Sequence, residues 1–163
     1  MKNLLFVVML LIIFSCSSGN NKDTQNISLV KKYVEAVENF DYETMALLLD
    51  DNYLGIGPSS TDSIQKSRAI ESWQKSSELY SKIKYNRAQY IAVTIDEGDL
   101  TGDWVSNWAL VHIVYQEDNG SVKLWANTVY QIENERIIRS YTFYNEAEVL
   151  EQLGYVFINP NDL

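Results

Sequence analysis

The amino-acid sequence predicts an α+β domain in which a layer of helices packs on one antiparallel sheet. Three observations lead there. Apolar residues recur at helical spacing through the first half, the period changes to two from Tyr85 onward, and the later segments are joined by short polar turns.

A different kind of segment precedes that domain. Lys2 is followed by an apolar run from Leu4 to Phe14, eleven residues. A membrane-spanning helix needs about 20, so residues 1–15 read as a secretory signal. The run ends in Ile13-Phe14-Ser15-Cys16, which resembles a bacterial lipobox, although Phe14 departs from the small or short aliphatic residue usual there. The resemblance implies that Cys16 is lipidated and becomes the mature N-terminus. Cys16 is the only cysteine, so no intramolecular disulfide can form. The expectation is a protein of the bacterial cell envelope, held to a membrane outside the cytoplasm by the lipid on Cys16 alone. Residues 16–26 are small, polar and periodless and read as a flexible tether. The domain proper is expected over residues 27–163.

Within it, Val30, Tyr33, Val34 and Val37 form one helical stripe, with Lys31, Lys32, Glu35 and Glu38 opposite. Asp41 can cap a second helix, "YETMALLLDD", with Met45, Leu48 and Leu49 inward. "NYLGIGPSSTDS" reads as a short strand running into a loop, because Gly55, Gly57 and Pro58 break helicity. A third helix is expected from Ser67 to Lys82, with Ile70, Trp73, Tyr80 and Ile83 on one stripe. Four strands follow, over 85–95, 104–116, 121–132 and 136–145, and Asn119-Gly120 is a strong hairpin turn. A short helix at "EAEVLEQLG" closes the chain, with Gly154 as its stop.

Composition excludes several functions. With 22 acidic against 13 basic residues the net charge is −9, and no basic cluster offsets it, so nucleic-acid binding is not expected. "DEGDLTGD" bunches Asp96, Glu97, Asp99 and Asp103 but lacks the order of an EF-hand. There is no His/Cys cluster for zinc and no glycine-rich phosphate loop. Neither a metal nor a cofactor is expected.

"LVKKYVEAVENFDYETMALLLDDNYLGIGP" and "WANTVYQIENERIIRSYTFYN" together resemble the nuclear transport factor 2-like, or SnoaL-like, superfamily. The first stretch has the helix, acidic turn, helix and Asp-Asp entry to a strand, and the second the closing hairpin. The likeness covers residues 27 to about 153. It implies a cone, a curved antiparallel sheet wrapped around three helices with a central pocket, as in ketosteroid isomerases. That superfamily holds isomerases, dehydratases, cyclases and non-enzymatic members, so fold alone does not give function.

Proton-transfer chemistry on such a fold needs a base beside a carbon-bound proton. The resemblance sets Tyr33 where ketosteroid isomerases carry an enolate-stabilising phenol. Their base would fall at Ile56 or Gly57, and their protonated acid near Trp125 or Asn127, so two of three roles are unfilled. None of the four expected strands contains an Asp or Glu, and His112, the only histidine, is the one remaining candidate base. Alternation on "GDWVSNWALVHIVY" sets Trp104, Ser106, Trp108, Leu110 and His112 on one face, whose mix of rings and hydrogen-bonding groups suits a pocket. The expected ligand-binding residues are Tyr33, Trp73, Trp108, His112, Trp125, Asn127, Thr142 and Tyr144, with Ser140 alongside the last two.

Three functions fit these residues. The leading one is a non-catalytic domain binding a small apolar or aromatic molecule. The second is an isomerase, dehydratase or cyclase using His112 and Tyr33. The third is an interaction module that forms a homodimer through the outer sheet face, expected to bear Val105, Val111, Ile113 and Tyr115.

Overall fold

The computed structural model describes residues 18–116, 120–159 and 161. The signal segment, Cys16 and Asn119 of the expected hairpin turn lie outside the described residues. The order of elements is α1 (Ser18–Glu38), α2 (Tyr42–Leu48), β1 (Leu49–Ile56), β2 (Ser63–Gln65), α3 (Lys66–Leu79), β3 (Tyr80–Ile95), β4 (Gly102–Tyr115), β5 (Ser121–Glu133), β6 (Arg136–Tyr144) and α4 (Glu146–Gln152).

Local signals set the helix ends. Val30, Tyr33, Val34 and Val37 of α1 are all buried, as their helical spacing requires. Phe40 turns left-handed at φ 54°, and the Asp41 carboxylate then accepts the Thr44 N–H at 3.0 Å to start α2. Asn145 caps α4 in the same way through Glu148 N–H, and Gly154 at φ +87° stops it. The β5–β6 turn has Asn134 and Glu135 both at positive φ, the twist that a tight hairpin needs.

The six strands form one sheet in the order β2-β1-β6-β5-β4-β3. β3 to β6 are an antiparallel meander, but β1 pairs parallel with β6, so the sheet is mixed where an antiparallel one was expected. β1 arrives from α2 rather than through a hairpin, so no tight turn dictates its sense. β2, three residues long and paired with the end of β1, was not anticipated.

Three boundaries also differ from expectation. α2 ends at Leu48, so Leu49 to Asp51 of the expected helix are strand residues of β1. Residues 18–26, read as tether, are the first turns of α1: Asn26 is buried, and Lys22 Nζ lies 2.5 Å from Asp103 Oδ2. Their Ser- and Asn-rich sequence has no apolar period to reveal a helix, which here extends cooperatively from the packed turns. α3 ends at Leu79, so Tyr80 and Ile83 are strand residues.

Register fixes which residues share a face, because partners across an antiparallel pair point the same way. Val105, Ala109, Val111, Ile113 and Tyr115 of β4 face the helices on the concave side, together with Leu124, Ala126, Thr128 and Tyr130 of β5. Trp104, Ser106, Trp108, Leu110 and His112 take the convex side with Lys123, Trp125 and Asn127. The expected faces of β4 and β5 are therefore exchanged. One core cluster joins α1, α2 and the closed end of the sheet, including Val30, Val37, Met45, Leu49, Val105 and Ile137. A second, around Ile83, Val111, Val122 and Leu124, lies toward α4.

Candidate functional site

A cavity of about 430 Å³ opens between the two clusters, bounded by α1, β1, α3, the concave sheet face and α4. Small side chains make the room. Ala109 and Ala126 face each other across β4 and β5, and Ala126, Thr128, Ser140 and Thr142 line the strand side of the hollow. Seven tyrosines contribute to the wall: Tyr33, Tyr53, Tyr80, Tyr85, Tyr115, Tyr130 and Tyr144.

The inner phenols form a connected group. Tyr33 and Tyr130 meet edge to face at 5.9 Å. The Tyr53 hydroxyl and Ser140 Oγ are 2.6 Å apart, and a Cβ added to Gly55 would sit 2.7 Å from that same hydroxyl, so glycine leaves the phenol its place. Burial pushes the Tyr33 and Tyr130 hydroxyls well above the ordinary phenol range, with neighbouring tyrosines adding to it. A hydrogen bond from the Trp73 indole acts against the shift at Tyr33. Tyr85 is pushed up to about 12 by burial first and the Glu38 carboxylate second. At neutral pH these groups are uncharged hydrogen-bond donors.

No Asp, Glu, Lys, Arg or His is among the described residues that line the cavity. Glu38 lies behind the wall with its oxygens engaged: Oε1 accepts the Tyr85 backbone N–H at 2.6 Å, and Oε2 pairs with Lys84 Nζ at 2.6 Å. At the mouth, Tyr144 is raised by burial and then by Glu146, Tyr80 and Asp62, which places two carboxylates near the rim. No group of three or more His, Cys, Asp or Glu among the described residues could hold a metal ion.

Of the residues expected to bind ligand, Tyr33, Trp73, Thr142 and Tyr144 line the cavity, and so does Ser140. Trp108, His112, Trp125 and Asn127 do not. His112 pairs in register with Lys84 and Lys123 on the convex face, so it cannot act with Tyr33 on one substrate. Asn127 Nδ2 donates to Ser106 Oγ at 2.9 Å and to the Asn107 carbonyl at 3.2 Å, holding neighbouring strands together. Trp125 is 53% exposed. Trp104, on the same face, is buried under the β3–β4 turn, with its indole donating to the Leu100 carbonyl at 2.8 Å.

The sequence reading missed Tyr53, Tyr85 and Tyr130, which reach the cavity from three different strands. Lys123, on the face shared by Trp125 and Asn127, was the signal that this face meets water. The mouth is bordered by α4, which supplies Val149 and is clasped to β5 through one side chain. Gln152 Oε1 accepts the Lys123 N–H at 2.9 Å, and its Nε2 donates to the Lys123 carbonyl at 2.8 Å.

No protein-family model matches the sequence, and no curated protein matches it. Solved structures do. A polyketide cyclase candidate from Xanthomonas campestris pv. campestris is similar at 18% identity and TM-score 0.66, over 80% of this chain and 98% of that one. An NTF2-like protein from Burkholderia xenovorans is similar at 12% identity and TM-score 0.64, over 80% and 97% of the two chains. A protein with a ketosteroid isomerase-like fold from Catenulispora acidiphila, solved in complex with trimethylamine, is similar at 11% identity and TM-score 0.60, over 78% and 93%. The curved sheet, the helices it encloses and the hollow between them are thus those of the nuclear transport factor 2-like fold, the architecture that SnoaL-like and ketosteroid isomerase-like proteins share.

Proposed function

We propose that the protein is a lipid-anchored, extracytoplasmic domain that binds a small, largely apolar or aromatic molecule without transforming it. The observation that carries this is a 430 Å³ hollow lined by phenols, aliphatic side chains and a few small hydroxyl groups, with no carboxylate or imidazole among the described residues on its wall. A guest is held there by fit and by exclusion of water, and neutral phenols can each donate to an oxygen on it. One structural neighbour was solved in complex with trimethylamine, which supports a small-molecule binding role on this fold.

Trp73 is the one tryptophan on the cavity wall, which makes it the reporter. Titration with a panel of neutral aromatic compounds is expected to quench tryptophan fluorescence saturably, and Trp73→Phe to remove the response. A panel that yields no saturable change ends the reading. Membrane attachment rests on the eleven-residue apolar run and Cys16. Cys16→Ala is expected to release the protein into the soluble fraction, and unchanged fractionation refutes the anchor.

A second reading concerns the convex face, where Ile91 and Val93 of β3, Trp125 of β5 and Phe143 of β6 are 49–53% exposed. Large apolar side chains exposed on one sheet face favour a homodimer. Its residues are these, and not Val105, Val111, Ile113 and Tyr115, which face inward. Sedimentation is expected to show dimers that the double substitution Trp125→Asp, Phe143→Asp dissociates, and monomers at every concentration would discard the idea.

A further inference from the structure

The chain continues past α4 into four consecutive apolar residues that pack on little: Tyr155, Val156, Phe157 and Ile158 are 62%, 80%, 58% and 59% exposed. Among the described residues, no hydrogen bond ties the backbone of 156–158 to the sheet, and the last anchoring bond is from Tyr155 N–H to the Leu150 carbonyl at 3.0 Å. The segment leaves the domain at the cavity mouth. α4 supplies Val149 to the wall, and Leu153 packs in the cluster that holds Tyr80 and Tyr115. Gly154 at φ +87° is a swivel that a side chain would strain, set between the docked helix and the free apolar run. The phenol of Tyr115 is raised by burial, by Tyr80 and Tyr144 and also by Tyr155, which brings the start of the run within electrostatic range of the rim.

We infer that Tyr155–Ile158 is a strap that closes over the mouth when a guest occupies the cavity. The inference rests on the binding reading above and adds to it the element that governs release. Four extended residues reach about 13 Å, and Tyr80, Tyr115 and Tyr144 line the cavity on the side from which the run departs. Tyr80 and Tyr115 already stand edge to face at 5.1 Å, a surface on which the rings of Tyr155 and Phe157 can dock. In the open state the segment exposes apolar area. With a guest inside, the same area finds an apolar partner, so occupancy and closure reinforce each other.

The test uses N-phenyl-1-naphthylamine, a neutral aromatic fluorophore that brightens on leaving water. The probe is expected to slow amide hydrogen exchange across 155–158. Ending the chain after Gly154, or combining Val156→Ser with Phe157→Ser, is expected to speed probe release about tenfold while the association rate changes little. Probe binding with unchanged exchange in the tail, or parental release rates in both variants, overturns the strap and leaves the cavity reading standing. Failure of the probe to bind the parent protein overturns both.

Discussion

The two faces of the sheet are built from the same strands, residue by alternate residue, yet they do opposite things with their aromatic side chains. On the concave face the rings are tyrosines set at the ends of a space that alanine, serine and threonine leave empty. On the convex face the rings are mostly tryptophans and a phenylalanine, with one tyrosine, Tyr141, packed on Trp104, and they are interleaved with Lys84, His112, Lys123 and Arg139. A cavity is made by missing volume, not by large residues. Phenols suit its wall because they end in neutral donors that a guest can satisfy, whereas a benzyl group has no polar end to offer.

The sharpest way to break this contrast is to put a charge on each side. Val105 is fully buried on the concave face, while Ile91, on the adjoining strand β3, is 52% exposed on the convex one. Val105→Asp is expected to cost about 4 kcal/mol or to prevent folding, since the carboxylate would be buried without a partner. Ile91→Asp is expected to stay within about 1 kcal/mol. Denaturant unfolding of the two variants reads the difference directly.

Alkaline titration probes the concave face alone. Tyr33, Tyr85 and Tyr130 have folded-state values above that of an unfolded phenol, so the folded protein binds more protons above pH 10. Their stabilisation is complete below that pH and is lost as pH rises through the folded values; for Tyr85 the window is pH 10 to about 12. The loss from Tyr85 alone is about 3 kcal/mol. Tyr85→Phe is expected to flatten that part of the stability profile, measured by urea unfolding at stepped pH. An unchanged profile would mean that the phenol is hydrated in the folded state.

Smaller effects belong to the boundary between the faces. Gln152→Ala removes both bonds to Lys123 and is expected to cost about 1 kcal/mol by thermal unfolding. A cost of several kcal/mol would instead mark α4 as part of the core.

The two faces also differ from the helices in how far the sequence reveals them. The helices were legible because α1 carries a clear apolar stripe from Val30 onward and Asp41 caps the start of α2, and the meander was legible from period-two runs between polar turns. The face assignment was not, because both faces of β4 are apolar: Val105, Ala109 and Val111 on one side, Trp104, Trp108 and Leu110 on the other. Alternation separates two sets of residues and does not say which set is inside. Ring size pointed to the wrong set; the lysine beside Trp125 and the facing pair of alanines pointed to the right one. Tyr33 and Trp73 were legible because each lies on a helix that packs on one side only. The register that joins β1 to β6 depends on contacts across the whole domain and leaves no local trace.

The paired bonds between Gln152 and Lys123 carry one more consequence. β6 stops at Tyr144, opposite Ala126, so the earlier part of β5 would present bare backbone on that flank. A side-chain amide has the same donor and acceptor as a peptide group, and here it stands in for the strand that is not there. One glutamine thereby lets the last strand be short enough to leave a doorway, while denying that raw edge to any passing chain that could zip onto it.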